Sequence, residues 1–137
     1  MNAGYSGTPL AKKLGIKEGH EVATLGAPRR FADLLAPLPP RARVTSGLRG
    51  DDVRNVIIVF ARTLHELEER FARARPRLDP AGGLWICWAK QSSELAGELR
   101  ESSVRAHGLA MGLVDNKVCA IDSDWSGLRF VVRLRDR

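Results

Sequence analysis

Asp79-Pro80-Ala81-Gly82-Gly83 runs directly into Leu84-Trp85-Ile86-Cys87-Trp88-Ala89-Lys90. The first half has the chemistry of a turn, because proline fixes φ and glycine accepts backbone conformations that other residues avoid. The second half is an unbroken apolar run, residues 84–89, too short for a helix. It predicts a strand buried on both faces, as in a parallel sheet covered by helices.

The same rhythm extends outward. Residues 53–60, Val-Arg-Asn-Val-Ile-Ile-Val-Phe, are rich in β-branched side chains and predict a central strand. Thr63 with Glu66 has the capping-box spacing and starts a helix that ends before Pro76. Its period sets Leu64, Leu67 and Phe71 inward and Glu68, Glu69 and Arg70 outward. Upstream, Thr8-Pro9 and Gly15 bracket a short helix, residues 21–26 predict a strand, and residues 29–35 a short helix closed by Pro37, Pro39 and Pro40. Residues 41–46 form a weaker strand. Downstream, residues 93–107 predict a helix with Leu95, Leu99 and Val104 inward and Gly108 as its stop. Residues 114–122 and 128–133 are strands joined through Asp124-Trp125-Ser126-Gly127, a link too short for parallel pairing. The expected architecture is one α/β domain over residues 1–137: a three-layer, Rossmann-like sheet, mostly parallel, with a C-terminal antiparallel hairpin.

Composition sets the bounds. A chain of 137 residues, 44% hydrophobic and 28% charged, suits one globular domain. No apolar stretch is long enough to span a bilayer and the opening residues lack a signal-peptide core, so the expected location is cytoplasmic, without a membrane partner. Cys87 and Cys119 lie in strand-like runs without metal-ligand spacing and read as buried thiols. The net charge of +6 is compatible with nucleic acid or a small anionic ligand, and equally with a solvated basic surface.

The order of elements, with the proline-glycine turn at residues 79–83, resembles the latter half of class I S-adenosylmethionine-dependent methyltransferases, whose familiar run is of the type L-x-P-G-G-x-L. The resemblance implies a reduced methyltransferase-like fold. In that family the first strand enters a GxGxG loop, and an acidic residue closing the second strand grips the ribose hydroxyls. Here Thr24-Leu25-Gly26-Ala27-Pro28-Arg29-Arg30 has one glycine, and Arg43-Val44-Thr45-Ser46-Gly47 has no acid. Both departures argue against S-adenosylmethionine and leave the cofactor unassigned. The stretches GYSGTPLAKKLGIK (residues 4–17) and GLVDNKVCAIDSDWSGLRFVVR (residues 112–133) also resemble a bacterial, actinobacterial-type family of small proteins of unknown function. That resemblance implies no reaction.

In open α/β sheets, ligands lie beyond the carboxyl ends of the strands where strand order reverses. This selects Lys90 with Ser92, Ser93 and Trp125 as a candidate anion or ligand site, with Lys12 adding charge. The alternative for the serines is capping of the following helix. Trp125, in a polar turn, is either folded over the core or exposed for contact. His20, His65 and His107 have no catalytic spacing, and Asp115, Asp122 and Asp124 match no metal loop, so no catalytic or metal residue is assigned. The leading expectation is a non-enzymatic binding or regulatory domain of degenerate methyltransferase-like fold, taking a small anionic ligand or a protein partner. The alternatives are a divergent S-adenosylmethionine- or nucleotide-using transferase, and a nucleic-acid-binding accessory protein.

Overall fold

A computed structural model describes residues 7–137. The opening of the GYSGTPLAKKLGIK stretch, and with it the first residue of Ser6-Gly7-Thr8, lies outside the described residues. Along the chain follow α1 (Leu10–Lys13), β1 (Glu21–Leu25), α2 (Phe31–Leu35), β2 (Arg43–Ser46), β3 (Arg54–Phe60), α3 (Leu64–Ala74), β4 (Leu78–Ala89), α4 (Glu101–Ala110), β5 (Leu113–Ala120) and β6 (Trp125–Val132). The six strands form one sheet in the order β2-β1-β3-β4-β6-β5. The first four pair in parallel, and β6 is antiparallel to both β4 and β5. The α/β sheet with its C-terminal antiparallel pair is the architecture expected from the sequence.

Burial explains why β3 and β4 read so clearly. Val56 through Phe60 and Leu84 through Trp85 are essentially inaccessible because helices cover both faces of the sheet. On one face Leu67, Phe71 and Ala74 of α3 and Val104 of α4 pack over Ile57, Val59, Leu84 and Ile86. On the other, Ala11 and Leu14 near α1 and Phe31 and Leu35 of α2 pack over Val56, Ile58, Phe60 and Trp85. Trp85 and Trp88 therefore serve opposite layers, as their spacing requires. The Trp85 indole N–H donates to the Leu14 carbonyl at 3.0 Å, which pins the turn after α1 to the sheet. At 25 cal/mol per Å² of apolar surface, each such fully buried large side chain contributes on the order of 2 kcal/mol.

Several local readings change, and Leu64, expected inward, is 46% exposed. The proline-glycine stretch is a bulge inside β4: Arg54 pairs with Leu78 and Val56 with Gly83, so residues 79–82 arch out of the ladder. The Asp79 carboxylate holds the arch by accepting from the Ala81 amide at 2.9 Å and from the Asn55 amide group at 3.2 Å. Position 82 must be glycine there, since a Cβ would strike the Asn55 carbonyl. Second, the helix expected over residues 93–107 begins only at Glu101, and residues 91–100 are turns and bends. Third, Gly108 is not its stop; it lies inside α4 with the Phe130 ring against its Cα, and Gly112, at φ 87°, ends the helix. Fourth, Arg70 does not point outward but folds back over the end of β3, where a guanidinium N–H donates to the Phe60 carbonyl.

The capping of α3 also differs in detail. The Thr63 hydroxyl accepts from the Glu66 amide at 3.1 Å, as the spacing predicts, while the Glu66 carboxylate takes the amide of Arg62 at 2.8 Å. The Leu64 amide donates to Glu98, which ties the irregular 91–100 segment to the start of α3. Among the described residues no helix is long and apolar enough to cross a membrane.

Candidate functional site

Strand order reverses between β1 and β3: from β1 the chain moves outward to β2, then returns past β1 to build the rest of the sheet. The loops leaving β1 and β3 must diverge at this point, so a crevice opens beyond their carboxyl ends. Here it is a cleft of about 270 Å³ lined by Gly26, Pro28, Phe60, Arg62, Glu66, Arg70, Leu95 and Trp125.

Each wall has a local cause. Gly26 ends β1 at φ 69°, a left-handed turn that only glycine takes without strain. Any Cβ there would meet the Arg70 guanidinium, and would lie 3.0 Å from the Phe60 carbonyl. Arg70 is positioned by the regular period of α3, one turn after Glu66, and pairs with that carboxylate at 3.5 Å. The Arg62 amide bond holds the Glu66 carboxyl below the usual range, with the charge of Arg70 acting in the same direction. The aromatic wall is a chain of edge-to-face contacts, Phe31 to Phe60 at 4.8 Å and Phe60 to Trp125 at 5.1 Å.

The residues selected from the sequence fall in three places. Trp125 folds over the core with 6% exposure and lines the cleft. Lys90 and Ser93 adjoin it: the Lys90 amide donates to the Asp124 carbonyl at 2.8 Å, and the Ser93 hydroxyl donates to the Asp124 carboxylate at 2.7 Å. Ser93 does not cap α4, since the same hydroxyl accepts from the Leu95 amide within a turn. Ser92 is exposed in that turn. Lys12 belongs elsewhere, on an apolar groove with Ile16 and residues 37–39. Asp122 is a turn residue, its carboxylate accepting from the amides of Asp124 and Trp125 at 2.8 Å. The described residues contain no cluster of three or more His, Cys, Asp or Glu suited to a metal ion. Sequence reasoning missed Glu66 and Arg70, whose i, i+4 spacing was the only available signal.

No protein-family model and no curated protein matches the chain, so the resemblance to a bacterial family of unknown function finds no support. Solved structures do match. A SAM-dependent methyltransferase from Aquifex aeolicus is similar over 90% of this chain and 88% of its own, with TM-score 0.63 and 17% identity. Aeropyrum pernix fibrillarin, solved with natively bound S-adenosyl-L-methionine, matches 89% of this chain and 73% of its own at TM-score 0.62 and 15% identity. A DhpI–SAH complex matches 93% and 83% at TM-score 0.64 and 12% identity. The fold is thus that of class I SAM-dependent methyltransferases. These neighbours overturn one expectation: the altered glycine loop argues against S-adenosylmethionine, yet the sheet matches structures that contain SAM or SAH.

Proposed function

We propose that the chain is a divergent S-adenosylmethionine-binding domain that works as a methyl transferase, with the cleft at the β1–β3 switch point as its cofactor site. The observation that carries this reading is the cleft itself: Gly26 without a side chain, an acid-base pair at Glu66 and Arg70, and an aromatic wall at Phe60 and Trp125, all at the sheet's switch point. The fold neighbours support it over a cofactor-free regulatory role.

The residues present suit the chemical groups of this cofactor. Arg70 carries five N–H donors and, among the described residues, bonds Phe60 and Glu66 alone, so it can also bind the amino-acid carboxylate. Glu66, held ionised by the Arg62 amide, complements the ammonium group. Phe60 and Trp125 offer ring surface to a sulfonium cation. When bound, the cofactor supplies an activated methyl group on sulfur. Leu95, Phe60 and Trp125 exclude water from that side of the cleft, and Lys90 and Ser93, both bonded to Asp124 next to Trp125, are our candidates for the side where a methyl acceptor would enter.

Isothermal titration with S-adenosylmethionine tests the reading. The expected result is saturable one-to-one binding, displaced by S-adenosylhomocysteine and weakened about tenfold or more by Arg70→Met, a loss near 1.4 kcal/mol. Absence of saturable binding by the folded wild-type chain would sink it.

A further inference from the structure

At the other side of β1, the end of β2 forms a second pocket of about 330 Å³ lined by Thr45, Ser46, Gly47, Arg49 and Arg54. It shares no lining residue with the Gly26–Arg70 cleft. Its composition is unusual, because its two ionisable side chains are both arginines and its other polar side chains are hydroxyls. Thr45, Ser46 and Arg49 are exposed at the rim, whereas Arg54 is only 8% exposed.

Arg54 is the decisive residue. Its Nε is buried and has no hydrogen-bond partner, and the side chain forms no ion pair among the described residues. A buried N–H without a partner costs free energy, and native proteins normally pair it. Asp79 is engaged with Asn55 and Ala81, and the exposed residues Asp51 and Asp52 form no ion pair with Arg54 among the described residues.

The pocket's rim is fixed in advance. The Arg77 side chain donates to the Asp52 carbonyl at 2.9 and 2.7 Å and to the Arg49 carbonyl at 2.9 Å, holding the residue 49–52 turn in place. At the other end the Gly47 amide donates to the Thr24 carbonyl at 2.7 Å. Partly buried Leu48 packs against the core between them. Two guanidinium groups and two hydroxyls, drawn from the end of β2, the start of β3 and the anchored loop between them, match an anion with several acceptor oxygens better than a carboxylate, which has two.

We propose that this pocket binds a phosphate group, with the Arg54 guanidinium as its buried counter-ion and Arg49, Ser46 and Thr45 as its rim. The missing partner of Arg54 is the ligand's oxyanion. The shared chemistry is a phosphate monoester or free phosphate, and the pocket volume admits either.

The experiment is a titration of the full chain with inorganic phosphate in the absence of any cofactor, following the arginine Nε–H and backbone amide resonances by two-dimensional NMR. The expected result is a saturable shift of the Arg54 Nε–H and of the amides of residues 46–49, absent in sodium chloride of matched ionic strength. Arg49→Gln, on the exposed rim, is expected to weaken binding by about fivefold to tenfold, and Arg54→Met to abolish it. Adenosine monophosphate binding more tightly than phosphate assigns a nucleotide as the source, and equal binding assigns the free oxyanion. A shift that does not saturate, that chloride reproduces, or that Arg49→Gln leaves unchanged overturns the proposal, even if Arg54→Met fails to fold.

Discussion

The guanidinium of Arg70 occupies the volume that a side chain at Gly26 would need. A residue ten positions beyond the end of β3 thus dictates the residue that ends β1. The pair closes the inner wall of the switch-point cleft, and their coupling is measurable.

Gly26→Ala carries two penalties: the left-handed backbone costs roughly 1–2 kcal/mol for a residue with a Cβ, and the new methyl collides with Arg70. Arg70→Ala removes the second penalty but not the first. In urea denaturation, Gly26→Ala is expected to cost about 1 kcal/mol less in the Arg70→Ala background than in wild type. Strictly additive costs would show that the two residues do not compete for space.

Gly108 sets helix propensity against packing. Glycine to alanine inside a helix gains about 1 kcal/mol from propensity, but overfilling a core costs about 1–3 kcal/mol. The Phe130 ring lies against the Gly108 Cα and is itself fully buried between Phe71 and the sheet, so it has nowhere to move. Packing should win. Gly108→Ala is expected to lower the thermal midpoint, and a rise would show that the α4–β6 contact can relax.

The two thiols give stability a basic limit. Burial pushes Cys87 well above the ordinary thiol range, with Cys119 and Asp122 adding to the effect, and burial raises Cys119 as well. The sign follows directly: above about pH 8.5 the unfolded chain releases thiol protons that the folded chain retains, so unfolding gains. Stability should therefore be intact below that pH and decline above it, and Cys87→Ala should flatten the decline. A thiol reagent at pH 8 should modify half-buried Cys119 before Cys87, as peptide mapping can read. Equal rates would contradict the burial of Cys87.

The parts of this fold that sequence made legible are those governed by local rules. β3 is an uninterrupted β-branched run covered on both faces, and α3 starts where Thr63 caps it. Residues 93–100 read as helix in the sequence because Leu95 and Leu99 have helical spacing, while their conformation is set by distant partners: Asp124 holds Ser93, and Glu98 binds the Leu64 amide. Gly97 lies so close to the Arg62 carbonyl that a Cβ there would sit 2.8 Å from it. The strand ends that flank the candidate cleft were legible from the order of elements. The cleft's charged groups were not, because helical period gives the direction in which Arg70 leaves α3 but not where a long side chain comes to rest. Arg54 gave no sign at all, since an arginine within an apolar strand does not announce burial without a partner.

The indole bond from Trp85 to Leu14 joins residues 71 positions apart. During synthesis Leu14 emerges long before its anchor, and a four-residue helix such as α1 does not persist alone. The layer formed by α1 must therefore wait for β4 to be made and paired. Amide protection in α1 would then report that the sheet has been completed, rather than that folding has begun.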